Sequence, residues 1–199
     1  MFMKKIIIAS LASFVLVSGA QAATIVSEDF ENGFGIFTPT GEVAVANGAA
    51  YQPCCGTSGN LTNNFAAFGG GNEASGSIVS TSFGTILGRL YTVTFDYGAL
   101  GAGSESLTVA AGGSQAVVNP IANNNLDQTF TTTSFSFVGT GSSATLSAFS
   151  GGVDNVDAIL DNVSVTAVPE PATWAMMLGG FGILGAAARR RSGMKSVTA

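Results

Sequence analysis

Leu90-Tyr91-Thr92-Val93-Thr94-Phe95-Asp96-Tyr97 decides the fold. Tyr91, Val93, Phe95 and Tyr97 fall on one side of an extended chain, and Thr92, Thr94 and Asp96 on the other. That period of two describes a half-buried β-strand. The same pattern recurs on either side. Ser106 to Ala111 places Leu107 and Val109 together, and Thr131 to Val138 places Thr133, Phe135 and Phe137 together. Ser143 to Ser150 groups Ala144, Leu146 and Ala148, and Ala158 to Thr166 groups Ile159, Asp161, Val163 and Val165. Earlier strands are expected near Thr24 to Ser27, Glu42 to Ala46, Asn64 to Phe68 and Ser77 to Phe83. Gly69-Gly70-Gly71, Gly101-Ala102-Gly103, Gly112-Gly113 and Gly139-Thr140-Gly141 separate these runs, where hairpins require positive φ. No sustained helical period interrupts them. About eight or nine short antiparallel strands around one core predict an all-β, two-sheet sandwich.

Composition narrows the chemistry. Between Ala23 and Ala167 there are eleven carboxylates and one basic residue, Arg89, a formal charge of −10. The other cations lie in the two ends of the chain. A domain this acidic repels phosphate backbones, which excludes nucleic acid as a partner and leaves cations and neutral sugars. The chain has no histidine, and Ala23 to Ala167 has no lysine. Ser-His-Asp and Cys-His hydrolysis, Schiff bases and histidine-ligated zinc are therefore excluded. No pair of carboxylates stands in a recognisable catalytic context, so the catalytic set is expected to be empty. Cys54 and Cys55 are adjacent. A strained vicinal disulfide, free thiols and links to other chains are all open to them. Tyr51, beside this pair, is the one ring expected to be exposed as a sugar platform, with core packing as the other possibility.

Both ends read as addresses. Lys4 and Lys5, the apolar run Ile6 to Val17, and the small residues Ala20 and Ala22 form a secretory signal peptide over residues 1–22, cleaved before Ala23. At the other end, Val168-Pro169-Glu170-Pro171 precedes a mostly apolar run from Ala172 to Ala188 and then Arg189-Arg190-Arg191. Proline there breaks any helix upstream. The run is expected to be a membrane-crossing helix with its arginines inside and residues 192–199 as a cytoplasmic tail.

The string from Val168 to Gly182, with Pro169, Glu170, Pro171, Trp174 and Ala175 at their spacing and Arg189, Arg190 and Arg191 at its end, resembles the PEP-CTERM sorting signal in its PEPxxWA variant. The resemblance covers residues 168–191. It implies a Gram-negative source making exopolysaccharide, and an exosortase, a membrane transpeptidase, as partner. The chain would be that enzyme's substrate. It would cross the inner membrane, be held there transiently, and pass to the cell surface or extracellular matrix.

Ser27-Glu28-Asp29-Phe30-Glu31, Tyr91 to Tyr97 and Ile159-Leu160-Asp161-Asn162-Val163-Ser164-Val165 also resemble galactose-binding-like jelly rolls, which include many carbohydrate-binding modules. That resemblance implies a structural calcium ion between Glu31 and Asp161. The other reading of Asp161 is a carboxylate that is partly exposed or satisfied by backbone N–H groups. The expected function is a non-catalytic structural or adhesive protein of the surface or biofilm matrix. A carbohydrate-binding module for exopolysaccharide is the alternative, and a carboxylate-dependent glycoside hydrolase a further one.

Overall fold

The computed structural model describes residues 22–49, 62–69, 75–123, 129–151, 156–169 and 171–192. Tyr51, Cys54, Cys55, Glu170 and nearly all of the signal peptide lie outside the described residues.

The strands in chain order are β1 (Ala23–Glu28), β2 (Phe37–Thr40), β3 (Val43–Asn47), β4 (Asn64–Phe68), β5 (Ser77–Ser80), β6 (Phe83–Gly84), β7 (Leu90–Ser104), β8 (Leu107–Ala111), β9 (Ser114–Val118), β10 (Ile121–Asn123), β11 (Thr131–Val138), β12 (Ser143–Ala144), β13 (Leu146–Ser150) and β14 (Val156–Ala167). They form two principal antiparallel sheets. In the larger, β7 and β14 run side by side at the centre. β11 and β10 pair with successive parts of β7, and β1 and β4 with successive parts of β14; β3 lies outside β4. The smaller sheet has the order β2-β5-β13-β8-β9. A short β6–β12 pair lies apart.

Alternation builds the core between the sheets. Tyr91, Val93 and Phe95 of β7 are buried there with Val26, Phe68, Leu160, Val163, Val165 and Phe137. The smaller sheet contributes Phe37, Ile78, Leu107, Val109, Leu146 and Ala148. Tyr91 stacks on Phe137 with ring centroids 5.2 Å apart. Burying each such ring contributes about 2–3 kcal/mol. A second cluster, Phe65, Ala67, Leu100 and Ile159, is buried on the outer face of the larger sheet, with Phe130 packed against it. The chain can cross that face at Gly98, where a Cβ would lie 2.9 Å from the Thr129 carbonyl oxygen.

Three sequence expectations change, besides the division of Ser77 to Phe83 between β5 and β6 and of Ser143 to Ser150 between β12 and β13. Gly101-Ala102-Gly103 does not end a strand; β7 continues to Ser104 and pairs with β10. The strands β2, β9 and β10 were not expected. The third change concerns β14. Its register against β7 shifts between Asp161 and Ser164, and Asn162 takes a left-handed φ of 48°. The extra residue is a β-bulge. It sends Ile159 and Asp161 to the outer face while Val163 and Val165 face the core, so the four do not share a side.

The helix α1 (Pro171–Ser192) begins at the second proline of the tail, where a missing N–H costs nothing. It carries the sorting residues Trp174 and Ala175 and runs through Arg189, Arg190 and Arg191. The sorting helix is thus present. Among the described residues no helix is long and apolar enough to cross a membrane.

Candidate functional site

The outer face of the larger sheet carries the polar residues that the pairing brings together. Two rows of hydroxyls cross four strands. Thr24, Thr166, Thr92 and Ser136 are consecutive cross-strand partners, as are Ser27, Ser164, Thr94 and Ser134. Strands lie ~4.8 Å apart, so each row is about 14 Å wide. Thr92 and Ser136 hydroxyls are 3.1 Å apart, and Thr166 donates to the Thr92 carbonyl at 3.4 Å. All eight side chains are exposed or half-buried.

A third row, Thr132, Asp96 and Asp161, adds carboxylates. Thr132 donates its hydroxyl to Asp96 Oδ1, and Asn162 Nδ2 donates to Asp96 Oδ2 at 2.9 Å. Asp161 Oδ1 accepts from the Asn162 backbone N–H at 2.7 Å, and Oδ2 from Asn63 Nδ2 at 3.0 Å. The bulge therefore does two jobs. It turns Asp161 outward, and its own side chain ties Asp161's neighbour Asp96 in place.

Glu31 reaches the same corner. Its Oε1 accepts from the Asn64 backbone N–H at 3.1 Å and its Oε2 from Asn64 Nδ2 at 3.2 Å. Consecutive residues, Asn63 and Asn64, thus hold Asp161 and Glu31. The loop that delivers Glu31 is clamped by Glu28, whose carboxylate accepts from the N–H groups of Phe30 at 3.1 Å and Ile36 at 3.2 Å. Phe30 has a φ of 55°, unusual for an aromatic residue. It is held there by complete burial and by stacking on Phe37 at 5.8 Å.

Asp161 is only 2 % exposed. Burial pushes its carboxyl above the ordinary carboxylate range. The Asn63 and Asn162 hydrogen bonds oppose that rise, and the charges of Asp96 and Glu31 add to it. The chemistry available here is hydrogen bonding to a polyhydroxylated ligand, or neutralisation by a cation. Among the described residues no group of three or more carboxylates or other metal-binding side chains is disposed to hold a metal ion. Glu31 and Asp161 would supply two hard oxygens for calcium, which takes six to eight.

Sequence reading missed two buried acids, Glu105 and Asp157, of which Glu105 is the more deeply buried. Glu105 is 4 % exposed and joins both sheets. Its Oε1 accepts from Ser75 Oγ at 2.7 Å and from Ser150 Oγ, and its Oε2 from the Ala158 N–H at 3.0 Å. Nothing in its local sequence, Ser104-Glu105-Ser106, signals burial.

The chain carries a PEP-CTERM protein-sorting motif at residues 167–191, matched by the model of that motif. The motif marks an exported protein processed at the cell envelope. No curated protein matches the chain. Among solved structures, the CBM22-1 xylan-binding domain of Paenibacillus barcinonensis Xyn10C superposes with a TM-score of 0.51 at 15 % identity, over 75 % of this chain and 97 % of that one. The K3 cleaved adhesin domain of Lys-gingipain from Porphyromonas gingivalis superposes with a TM-score of 0.51 at 20 % identity, over 73 % and 99 %. The CBM22-1–GH10 modules of Clostridium thermocellum xylanase 10B, complexed with xylohexaose, give 0.51 at 17 %, over 74 % of this chain and 29 % of that one. The strand-built part of the chain is an antiparallel jelly-roll sandwich similar in fold to these domains, as the sequence resemblance implied.

Proposed function

We propose that the protein is an exported, non-catalytic carbohydrate-binding module that holds a neutral extracellular polysaccharide on the outer face of its larger sheet. The carrying observation is the array of eight hydroxyls in two four-strand rows beside Asp96 and Asp161. Hydroxyls donate and accept at once, as sugars do. The fold shared with a xylan-binding domain supports this reading over that of a purely structural matrix protein, and the shared adhesin fold is compatible with attachment. The acidity of the domain favours a neutral glycan over an anionic one. All four oxygens of Asp96 and Asp161 already accept hydrogen bonds within the protein, which supports a binding role over acid–base hydrolysis. In the cell, an exosortase would act on the Pro169-Glu170-Pro171 segment and deliver the domain to the surface or matrix.

A screen of purified full-length protein against neutral and acidic polysaccharides, including host exopolysaccharide, tests the reading. Binding to a neutral glycan, weakened at least fivefold in Thr94→Val/Ser164→Ala, supports it. Binding that the double variant leaves unchanged would place the ligand elsewhere.

The calcium ion remains a proposal for the corner held by Glu31 and Asp161. Its support is the burial of Asp161 and the placement of Asp161 and Glu31 by the adjacent residues Asn63 and Asn64. Mass measurement of the alkylated protein with and without reductant decides among a Cys54–Cys55 disulfide, free thiols and links to other chains.

A further inference from the structure

The sorting motif does not begin in free chain. Its first residue, Ala167, is 1 % exposed and pairs with both Ala23 and Tyr91, and the next, Val168, donates its N–H to the Leu90 carbonyl at 2.9 Å. Pro169 to Pro171 therefore starts two residues beyond the sheet. Fully extended, four residues reach no more than ~14 Å. Any enzyme that grips this tripeptide meets the end of the sandwich.

That end is apolar. Leu90 and Val138 are cross-strand partners, 42 % and 55 % exposed. Beside them the turn between β6 and β7 presents Ile86 and Leu87, 55 % and 77 % exposed. The turn is fastened in this position. Ile86 N–H donates to the buried Tyr91 hydroxyl at 2.8 Å, and Gly88 N–H to the Gly139 carbonyl at 2.8 Å. Leu87 lies over Gly141, where an added Cβ would come 3.3 Å from its own. These aliphatic side chains are exposed to water beside the hydroxyl rows. Arg89, the only cation between Ala23 and Ala167, sits in the same turn, and its buried Nε finds no hydrogen-bond partner among the described residues.

We propose that Ile86, Leu87, Leu90 and Val138, with Arg89 beside them, form the surface on which the tail-processing enzyme seats the folded domain. The partner surface would be apolar and carry a carboxylate for Arg89. This inference rests on the sorting reading above. It adds that the enzyme reads the folded domain as well as the tail.

The test follows tail removal by pulse-chase in cells that make the full chain and its sorting enzyme. Leu87→Ser, Ile86→Ser/Leu87→Ser and Arg89→Gln are compared with Val117→Ser, an exposed change on β9 of the other sheet. The expected result is at least fivefold slower removal in the first three, normal removal in Val117→Ser, and unchanged melting temperatures throughout. Equal rates in all variants would overturn the docking surface and leave the sorting reading standing. A wild-type chain that is never shortened would overturn both. A second arm measures cosedimentation of the full chain with phosphatidylethanolamine/phosphatidylglycerol vesicles lacking the enzyme. Equal binding by wild type and Ile86→Ser/Leu87→Ser is expected; loss of binding in the variant would make lipid the occupant and overturn the assignment.

Discussion

At the scale of the residue, Asp161 and Glu105 are both buried acids that the fold uses differently. Asp161 keeps its proton to higher pH in the folded protein than in the unfolded chain. Between those two values the folded state binds more protons, so stability falls as pH rises through that window and is regained as pH drops toward the ordinary carboxylate range. Asp161→Asn removes this contribution. In EDTA, its melting temperature at neutral pH should equal or exceed that of wild type, and the difference should vanish at acid pH. A variant that melts lower at neutral pH in EDTA would show that the charge stabilises the fold. Millimolar Ca²⁺ should raise the wild-type midpoint and leave Asp161→Asn unmoved, because only a ligand of the folded state stabilises it. Glu105→Ala removes the acceptor of the Ala158 N–H and one partner of each of two serine hydroxyls, and should cost on the order of 2 kcal/mol in denaturant melts.

At the scale of the element, the bulge in β14 decides where the acids go. Left-handed backbone is tolerated by asparagine and glycine and resisted by branched side chains. Both Asn162→Gly and Asn162→Val release Asp96 from its amide partner; Asn162→Gly should stay close to wild type in stability, while Asn162→Val should lose a further ~1–2 kcal/mol. Urea melts of the two variants decide this. Sequence reading could not see the bulge. Ile159, Asp161, Val163 and Val165 alternate without a break, and an inserted residue that keeps its neighbours apolar leaves no mark on that pattern. The strand Leu90 to Tyr97 was legible because aromatic and threonine positions alternate strictly. Its continuation to Ser104 was hidden by Gly101 and Gly103, which mimic a hairpin. β2 was hidden by Pro39, a residue that argues against a strand unless it lies at an edge, and β2 is an edge strand.

At the scale of the molecule, the larger sheet presents zones in sequence: an apolar end where the chain leaves for its sorting tail, two hydroxyl rows, an acid row, and an apolar cluster crossed by the chain near Gly98. The address in the tail was legible, because Pro169, Glu170, Pro171, Trp174 and the arginines are read as a linear string. Glu31 and Asp161 were expected to meet, and the structure brings them to one corner through Asn63 and Asn64. The hydroxyl rows were not legible at all. Each strand contributes two ordinary polar residues, and only the pairing of four strands makes them a surface. The direct measurement is isothermal titration of the full-length protein with the neutral exopolysaccharide of its own cells, for wild type and Thr94→Val/Ser164→Ala. Saturable binding that the double variant weakens at least fivefold, at an unchanged melting temperature, is the predicted result. Equal binding by both proteins, or none by either, would contradict a glycan-binding sheet face.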